Sequence, residues 1–283
     1  MTGHWISIDR TEKPSLSVPL RTDGHWAVDG LVGWWDFTEG AGRTHFDRSG
    51  NGNDGTQQNT SWTSFWTAGE YGGAGVFDGS NDYISVSDDD SLDIAANEDF
   101  TLFFEGSLDD FSQRSGLLAK RASGSGAIPQ WSWEVDTSGK SRLFIKTSGT
   151  SATSIATNAI SADTPVRLFL AVDRSGNATH YTDGEANGSS SVSSQSGSLA
   201  TSTVFEIAAA NITQTASATK KLKGKGSRFG IWRRLLSAEE IAEFSANPNQ
   251  IYQPHAMFVP GAAGVGGGTI PLFYYYYAMM RSQ

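Results

Sequence analysis

The sequence predicts an all-β fold, a two-sheet antiparallel sandwich, and three observations carry the prediction. Thirty-two glycines and an abundance of Ser, Thr, Asn and Asp punctuate the chain, short runs of aromatic and β-branched residues lie between them, and nine tryptophans supply bulk for a core. Short strands joined by frequent turns describe a sandwich rather than a helical protein. At 283 residues, 38% of them hydrophobic, the chain is long enough to bury a core in one large domain or two small ones.

Residues 1–29 are polar and irregular, with Pro14, Pro19 and the aromatic anchors Trp5, His25 and Trp26, and read as an N-terminal arm with at most an edge strand. From "GLVGWWDFTEG" onward, apolar segments alternate with turn clusters. Adjacent strand residues point to opposite faces, so only one of Trp34 and Trp35 is expected in the core. "GAGVFDGSNDYISVSD" gives two short strands around Asp78-Gly79-Ser80-Asn81, and "FTLFFEGSL" is a half-buried strand by residue type. "WSWEVDTSGKSRLFIKT" reads as a hairpin closed at Ser138-Gly139, and "LFLAVDRSGNATHYTDG" as another closed around Ser175-Gly176-Asn177. "ANGSSSVSSQSGSLATS" is polar and of low complexity, a loop or weak edge. "TVFEIAAANI" and "SRFGIWRRL" are further strands. One segment reads as helix, "LLSAEEIAEFSANP": Ser237 and Glu240 form a capping box, Ile241 and Phe244 share a face, and Asn247-Pro248 stops it. Beyond it, Gly261 to Gly268 form a flexible linker to a bulky run, Leu272, Phe273, Tyr274, Tyr275, Tyr276 and Tyr277. The domain therefore spans 30–250, with a C-terminal arm over 251–283.

Several function classes fall away on composition. Without cysteine there is no disulfide framework, thiolate metal site or cysteine nucleophile. The apolar runs are far shorter than the roughly 20 residues that span a bilayer, and "MTGHWISIDR" lacks the charged-then-apolar pattern of a secretory signal. A net charge of −9 argues against nucleic acid as the main partner. The charge is uneven: eleven acids and no Lys or Arg between Asp78 and Asp110, seven cations and no acid from Lys220 to Arg234. That pattern fits two solvated faces of one domain or an interface between copies.

Taken in order, "GLVGWWDFTEGAGRTHFDRSGNGNDGT", "GAGVFDGSNDYISVSD", "FTLFFEGSL" and "FGIWRRLLSAEEIAEFSANP" resemble laminin-G-like, concanavalin A-like jelly-roll domains over about residues 30 to 250. The resemblance implies a jelly roll closed by the final strand and short helix, a fold that hosts carbohydrate-binding, adhesion and virion roles alike. "SAEEIAEFSANPNQIYQP" is similar to phage-encoded members. The expectation is a non-enzymatic virion structural protein of a tailed bacteriophage, assembled in the host cytoplasm. Its place would be capsid decoration, held to the major capsid or tail protein by its arms as a homo-oligomer such as a trimer. The alternative is a carbohydrate-binding or adhesion module of a tail or fibre protein that recognises host surface glycans.

Candidate sites follow from residue chemistry. "FDRSGNGNDGT" places Asp47, Ser49, Asn51 and Gly52 at positions 1, 3, 5 and 6 of an EF-hand-like spacing, with Gln58 where a bidentate glutamate belongs. Asp47 and Asn51 are thus ligands for a structural Ca2+, or members of a metal-free turn. The family pattern pairs such an aspartate with an acid on the last strand, where this chain has Ser227 and Arg228. The departure implies that Arg228 supplies the positive charge and pairs with Asp47. Among Trp34, Trp35, Trp62, Trp66, Trp131, Trp133 and Trp232, most are expected in packing. Trp62 and Trp66, in turn-rich "NTSWTSFWTAGEYG", are the candidates for stacking on a sugar. No catalytic residue is assigned: the five histidines show no metal spacing, and Asp109-Asp110 and Glu239-Glu240 read as solvated or capping acids. The tyrosine run is β-prone and reads either as an arm that adds to a neighbour's sheet or inserts in a groove, or as a disordered tail.

Overall fold

Every strand pairing is antiparallel in the computed structural model, which describes residues 13–58, 62–121, 129–147, 149–210 and 220–253. The first sheet runs β14 (Glu185–Ser191), β13 (Asn177–Thr182), β12 (Val166–Val172), β7 (Phe100–Leu108), β16 (Lys223–Trp232), β5 (Gly72–Asp78) and β4 (Trp66–Gly69), with β1 (Leu31–Trp35) also on β16. The second runs β11 (Ala152–Ile155), β10 (Ser141–Lys146), β9 (Gln130–Val135), β8 (Ser115–Arg121), β15 (Phe205–Ile207), β6 (Tyr83–Val86), β3 (Gly55–Gln58) and β2 (Thr44–His45). Both hairpins read from the sequence form, β9 with β10 and β12 with β13. The Asp78–Asn81 turn does something else: it carries the chain from one sheet to the other, so its flanking strands never pair. The polar stretch after Glu185 becomes the edge strand β14.

Between the sheets, Trp35, Phe104, Trp131, Trp133, Phe205 and Phe229 anchor the main core. Trp34, its neighbour on β1, faces the other way and is equally buried. The expectation of one core tryptophan fails because the first sheet's outer face is itself covered. The cover is a helix, α2 (Ala238–Ala246), together with residues 18–31 and 251–252. Phe244 of α2 meets Trp34, Phe103, Phe169 and Trp232 edge-on at 5.4 to 5.9 Å, an arrangement the ring quadrupole favours. A further helical turn, α1 (Trp62–Phe65), lies inside the stretch read from sequence as turn-rich.

The capping box of α2 is present: Ser237 Oγ accepts from the Glu240 amide at 3.2 Å, and Glu240 Oε2 accepts from the Ser237 amide at 2.8 Å. Ser237→Ala is expected to cost about 1 kcal/mol, read as a lower urea midpoint at unchanged slope. No change in midpoint would contradict this account of the cap.

Much of the N-terminal segment read as an arm packs on this same chain. Leu20 bridges to Tyr252, and the Gln253 amide donates to Pro19 O at 3.0 Å. At Ser227, β16 exchanges β5 for β1 as its partner, and the Lys13 amine plugs the gap, donating to the carbonyls of Asp36, Gly73 and Ser227. Burial pushes that amine down to about 7.

The charge asymmetry also resolves within the chain. Because β7 lies beside β16, the acidic stretch pairs with the basic one through Asp110–Lys223, Glu105–Arg228 and Glu98–Arg233.

Candidate functional site

Where the helix α2 meets the rim of the first sheet, a groove of about 490 Å³ opens between residues far apart in sequence. Three local structures shape it. The two-residue connection Glu70-Tyr71 joins β4 to β5 and projects the half-buried Tyr71. The connection Asp183-Gly184 joins β13 to β14 with both residues at positive φ, +50° and +91°, the conformation of a type I′ hairpin. A Cβ on Gly184 would sit 3.0 Å from the Ser245 side chain, so glycine lets α2 dock against the turn. The small side chains of Ala242 and Ala246 leave the space on the helix side open.

Arg167 organises these walls. Its backbone amide donates to Asp183 Oδ1 at 2.8 Å, and its Nη1 donates to Ser245 O at 2.7 Å. Its guanidinium carbon stands 4.3 Å from the centre of the Tyr71 ring, a cation–π contact. Its Nε donates to Glu105 Oε2 at 2.8 Å. Both Glu105 oxygens also accept from Arg228 Nη1, at 2.9 and 3.0 Å, in a pair with no exposed side-chain surface. Burial raises the Tyr71 hydroxyl above its ordinary range. The groove thus offers an aromatic ring, a held guanidinium and two exposed carboxylates, Asp183 and Glu185. That set suits a hydroxyl-rich ligand that needs both stacking and hydrogen bonds.

The sequence candidates sit elsewhere. Asp47 Oδ1 accepts from the amides of Trp34 and Ser49 at 3.0 and 2.9 Å, and Oδ2 from Ser49 Oγ and the Asn53 amide at 2.7 and 3.0 Å. Asn51 Nδ2 donates to Ser49 Oγ at 3.0 Å and reaches Val32 O at 3.3 Å. With Asn53 Nδ2 and Ser49 Oγ also donating to Val32 O, the loop hydrogen-bonds along β1 in place of a neighbouring strand. Gly50 and Gly52, at φ +94° and +80°, permit its path. Arg228 lies against Glu105 and Asn249, not Asp47, which corrects the pairing expected from the departure on the last strand. The residues do not fit a calcium ion, since both Asp47 oxygens already face protein donors, and no cluster of three or more metal-ligating side chains occurs among the described residues. Calcium is expected to leave the melting temperature unchanged; a rise of several degrees would contradict this.

Trp66 is half-buried, stacked on His45 at 5.1 Å, with its Nε1 donating to Gly42 O at 3.1 Å. Trp62 begins α1, and its side chain lies outside what is described. Leu272, Phe273 and Tyr274 to Tyr277 lie outside the described residues.

A buried Ser–His contact completes the chemical inventory. Trp133 Nε1 donates to Ser141 Oγ at 2.8 Å, Ser141 Oγ contacts His180 Nδ1 at 2.8 Å, His180 Nε2 contacts Ser154 Oγ at 3.0 Å, and Ser154 Oγ donates to Ala178 O at 3.0 Å. A single direction satisfies every link, with neutral His180 accepting at Nδ1 and donating from Nε2. Burial holds its imidazole down to about 4. The chain ties β9, β10, β11 and β13 together across the sandwich.

A family model described as the concanavalin A-like lectin/glucanases superfamily matches residues 78–242. No curated protein matches the sequence. Among solved structures, the binding domain of Paraclostridial Mosquitocidal Protein 1 aligns with a TM-score of 0.59 at 15% identity, covering 77% of this chain and 52% of that one. The receptor binding domain of a botulinum neurotoxin C/D mosaic serotype gives 0.58 at 13% identity, covering 77% and 51%. The chain therefore spans about half the length of these toxin domains. Domain 4 of AbnA, a GH43 extracellular arabinanase from Geobacillus stearothermophilus, in complex with arabinotriose, gives 0.55 at 15% identity, covering 76% and 98%. At such identity these likenesses concern the fold.

Proposed function

Because the chain belongs to the concanavalin A-like lectin/glucanases superfamily, we propose that it is a non-catalytic carbohydrate-binding module whose ligand lies in the groove between α2 and the first sheet. The observation that carries this reading is the Tyr71 ring, held by Arg167 beside the carboxylates of Asp183 and Glu185 in a concave site. A pyranose or furanose presents an apolar face for the ring and hydroxyls for the charged groups. The arabinanase domain solved with arabinotriose is similar over nearly its whole length, which supports oligosaccharides as the ligand class by fold-level analogy.

A glycan array with the full chain tests the reading. Tyr71→Ala is expected to weaken the best-retained sugar at least tenfold, about 1.4 kcal/mol, while Trp66→Ala leaves it unchanged. Equal binding by wild type and Tyr71→Ala, or no glycan retained at all, would refute it.

The module's setting is read as a phage virion, where it is displayed on the capsid, or alternatively on a tail, and presents the groove to host surface glycans. Support comes from the sequence of the C-terminal segment, whose β-prone run from Leu272 to Tyr277 suits strand addition to a neighbouring virion protein or to another copy. Deleting residues 261–283 should leave the melting temperature unchanged and abolish incorporation into particles; normal incorporation would count against this placement.

A further inference from the structure

On the far side of the sandwich, the second sheet carries an outer face that the core does not use. Trp131, Trp133, Leu143 and Ile145 point inward, so alternation turns Ser132 and Glu134 of β9 and Arg142, Phe144 and Lys146 of β10 outward. Glu134 has no exposed side-chain surface and is shared by three cations, Lys220 at 2.9 Å, Arg142 at 3.4 Å and Arg114 at 3.8 Å. Beside them, Arg121 donates to Gln130 Oε1 at 3.1 Å and Ser132 Oγ at 3.5 Å, and its guanidinium carbon stands 5.0 Å from the Phe144 ring centre. Lys221 stands 3.9 Å from the Tyr83 ring centre, with Glu206 the carboxylate that acts on it. Asp136, at the end of β9, is engaged with the turn amides of Ser138 and Lys140.

Six cations thus face three carboxylates, on a chain whose net charge is −9. Several cations elsewhere find acids of their own, Lys120 with Asp88 and Asp93, Arg48 with Asp36, Arg233 with Glu98, Arg234 with Glu240, while the buried Lys13 and Arg174 are satisfied by backbone carbonyls. Residues 122–129 and 211–219, which flank this face in sequence, contain no charged residue and add no neutralising carboxylate. Burial depresses Arg121, Arg142, Lys220 and Lys221 alike, and the carboxylates of Glu134 and Glu206 offset only part of that. Desolvating positive charge in excess of the carboxylates that share it is costly, and an anion on the face offsets that cost.

We propose that this face is a second binding site, separate from the groove, for an acidic polysaccharide bearing carboxylate or sulfate groups. The apolar side of each sugar lies on Phe144 and on Ile155, which is 42% exposed and pairs across from Arg142. The acid groups meet Arg114, whose side chain is 41% exposed, together with Arg142 and Lys146.

The test uses the full chain with polygalacturonate, heparin, neutral galactan and duplex DNA at low and high salt, roughly 50 and 500 mM. Polygalacturonate or heparin is expected to bind at least tenfold more tightly than galactan and to weaken as salt rises. Which of the two binds better distinguishes carboxylate from sulfate. Arg114→Gln/Lys146→Gln is expected to lose about tenfold in acidic-polysaccharide affinity at unchanged melting temperature. Tyr71→Ala is expected to leave that affinity intact. Unchanged affinity in the double variant, loss of acidic binding in Tyr71→Ala, or DNA binding as tight as either polysaccharide would each overturn the second site. None of these outcomes alters whether the groove holds a neutral sugar, which the array reads separately.

Discussion

Glu105→Ala is expected to destabilise the protein by roughly 3–5 kcal/mol, because it strands Arg228 without its carboxylate in a site with no exposed surface. Arg228 would keep Asn249 Oδ1 as an acceptor, and a neutral amide partner does not balance a buried cation. The loss should appear as a lower urea midpoint. Glu105→Leu/Arg228→Leu, which removes both charges, should be less damaged than Glu105→Ala, as a double-mutant cycle would show. A second readout separates packing from positioning. Glu105 also holds Arg167, which faces Tyr71, so Glu105→Gln should weaken sugar binding in the groove even where the domain remains folded. Additive single and double effects on stability would contradict the ion-cluster account.

Acidification should be the other large effect. Burial holds His45 and His180 down to about 4 each, against an ordinary value of 6.5. His45 sits among Phe37, Phe65 and Trp66, and His180 between two serine hydroxyls. The unfolded chain takes up protons below 6.5 while the folded one resists until about 4, so stability is full above that window and falls as the pH drops through it. Each histidine contributes roughly 3 kcal/mol across the window. Glu39, raised by burial, works in the opposite sense and offsets a part. Melting temperatures from pH 7 to 4 should therefore fall steeply. His180→Asn should lower stability at pH 7 through the broken hydrogen-bond chain and flatten the acid slope. A slope identical to wild type would show that His180 is not a source of it.

Strands, hairpins and the capped helix were legible because each rests on local chemistry: alternation, Ser-Gly turns, and Ser237 with Glu240. Two local readings misled for one physical reason. Trp34 and the Asp78–Asn81 turn depend on what lies above a strand or after a turn, and local alternation carries no information about a second layer or a change of sheet. The "DRSGNGN" loop was visible, and its role as a hydrogen-bonding substitute for a strand beside β1 was not, since that needs Val32 and Trp34 in view. The groove was hidden more completely. Tyr71, Arg167, Asp183 and Ala242 come from four elements and form no spacing. Asp183-Gly184 was a turn signal, and nothing local marked it as a wall of a site. The basic face was hidden similarly, because its cations come from both ends of β8, from β10 and from the approach to β16.

The central claim is that sugar enters the groove beside α2. Amide chemical-shift mapping of the full chain, titrated with the oligosaccharide retained best on the array, tests it most directly. The account predicts perturbations at Tyr71, Arg167, Asp183, Gly184 and Ala242. Perturbations centred on Trp66 or the Asp47 loop, with the groove silent, would contradict it.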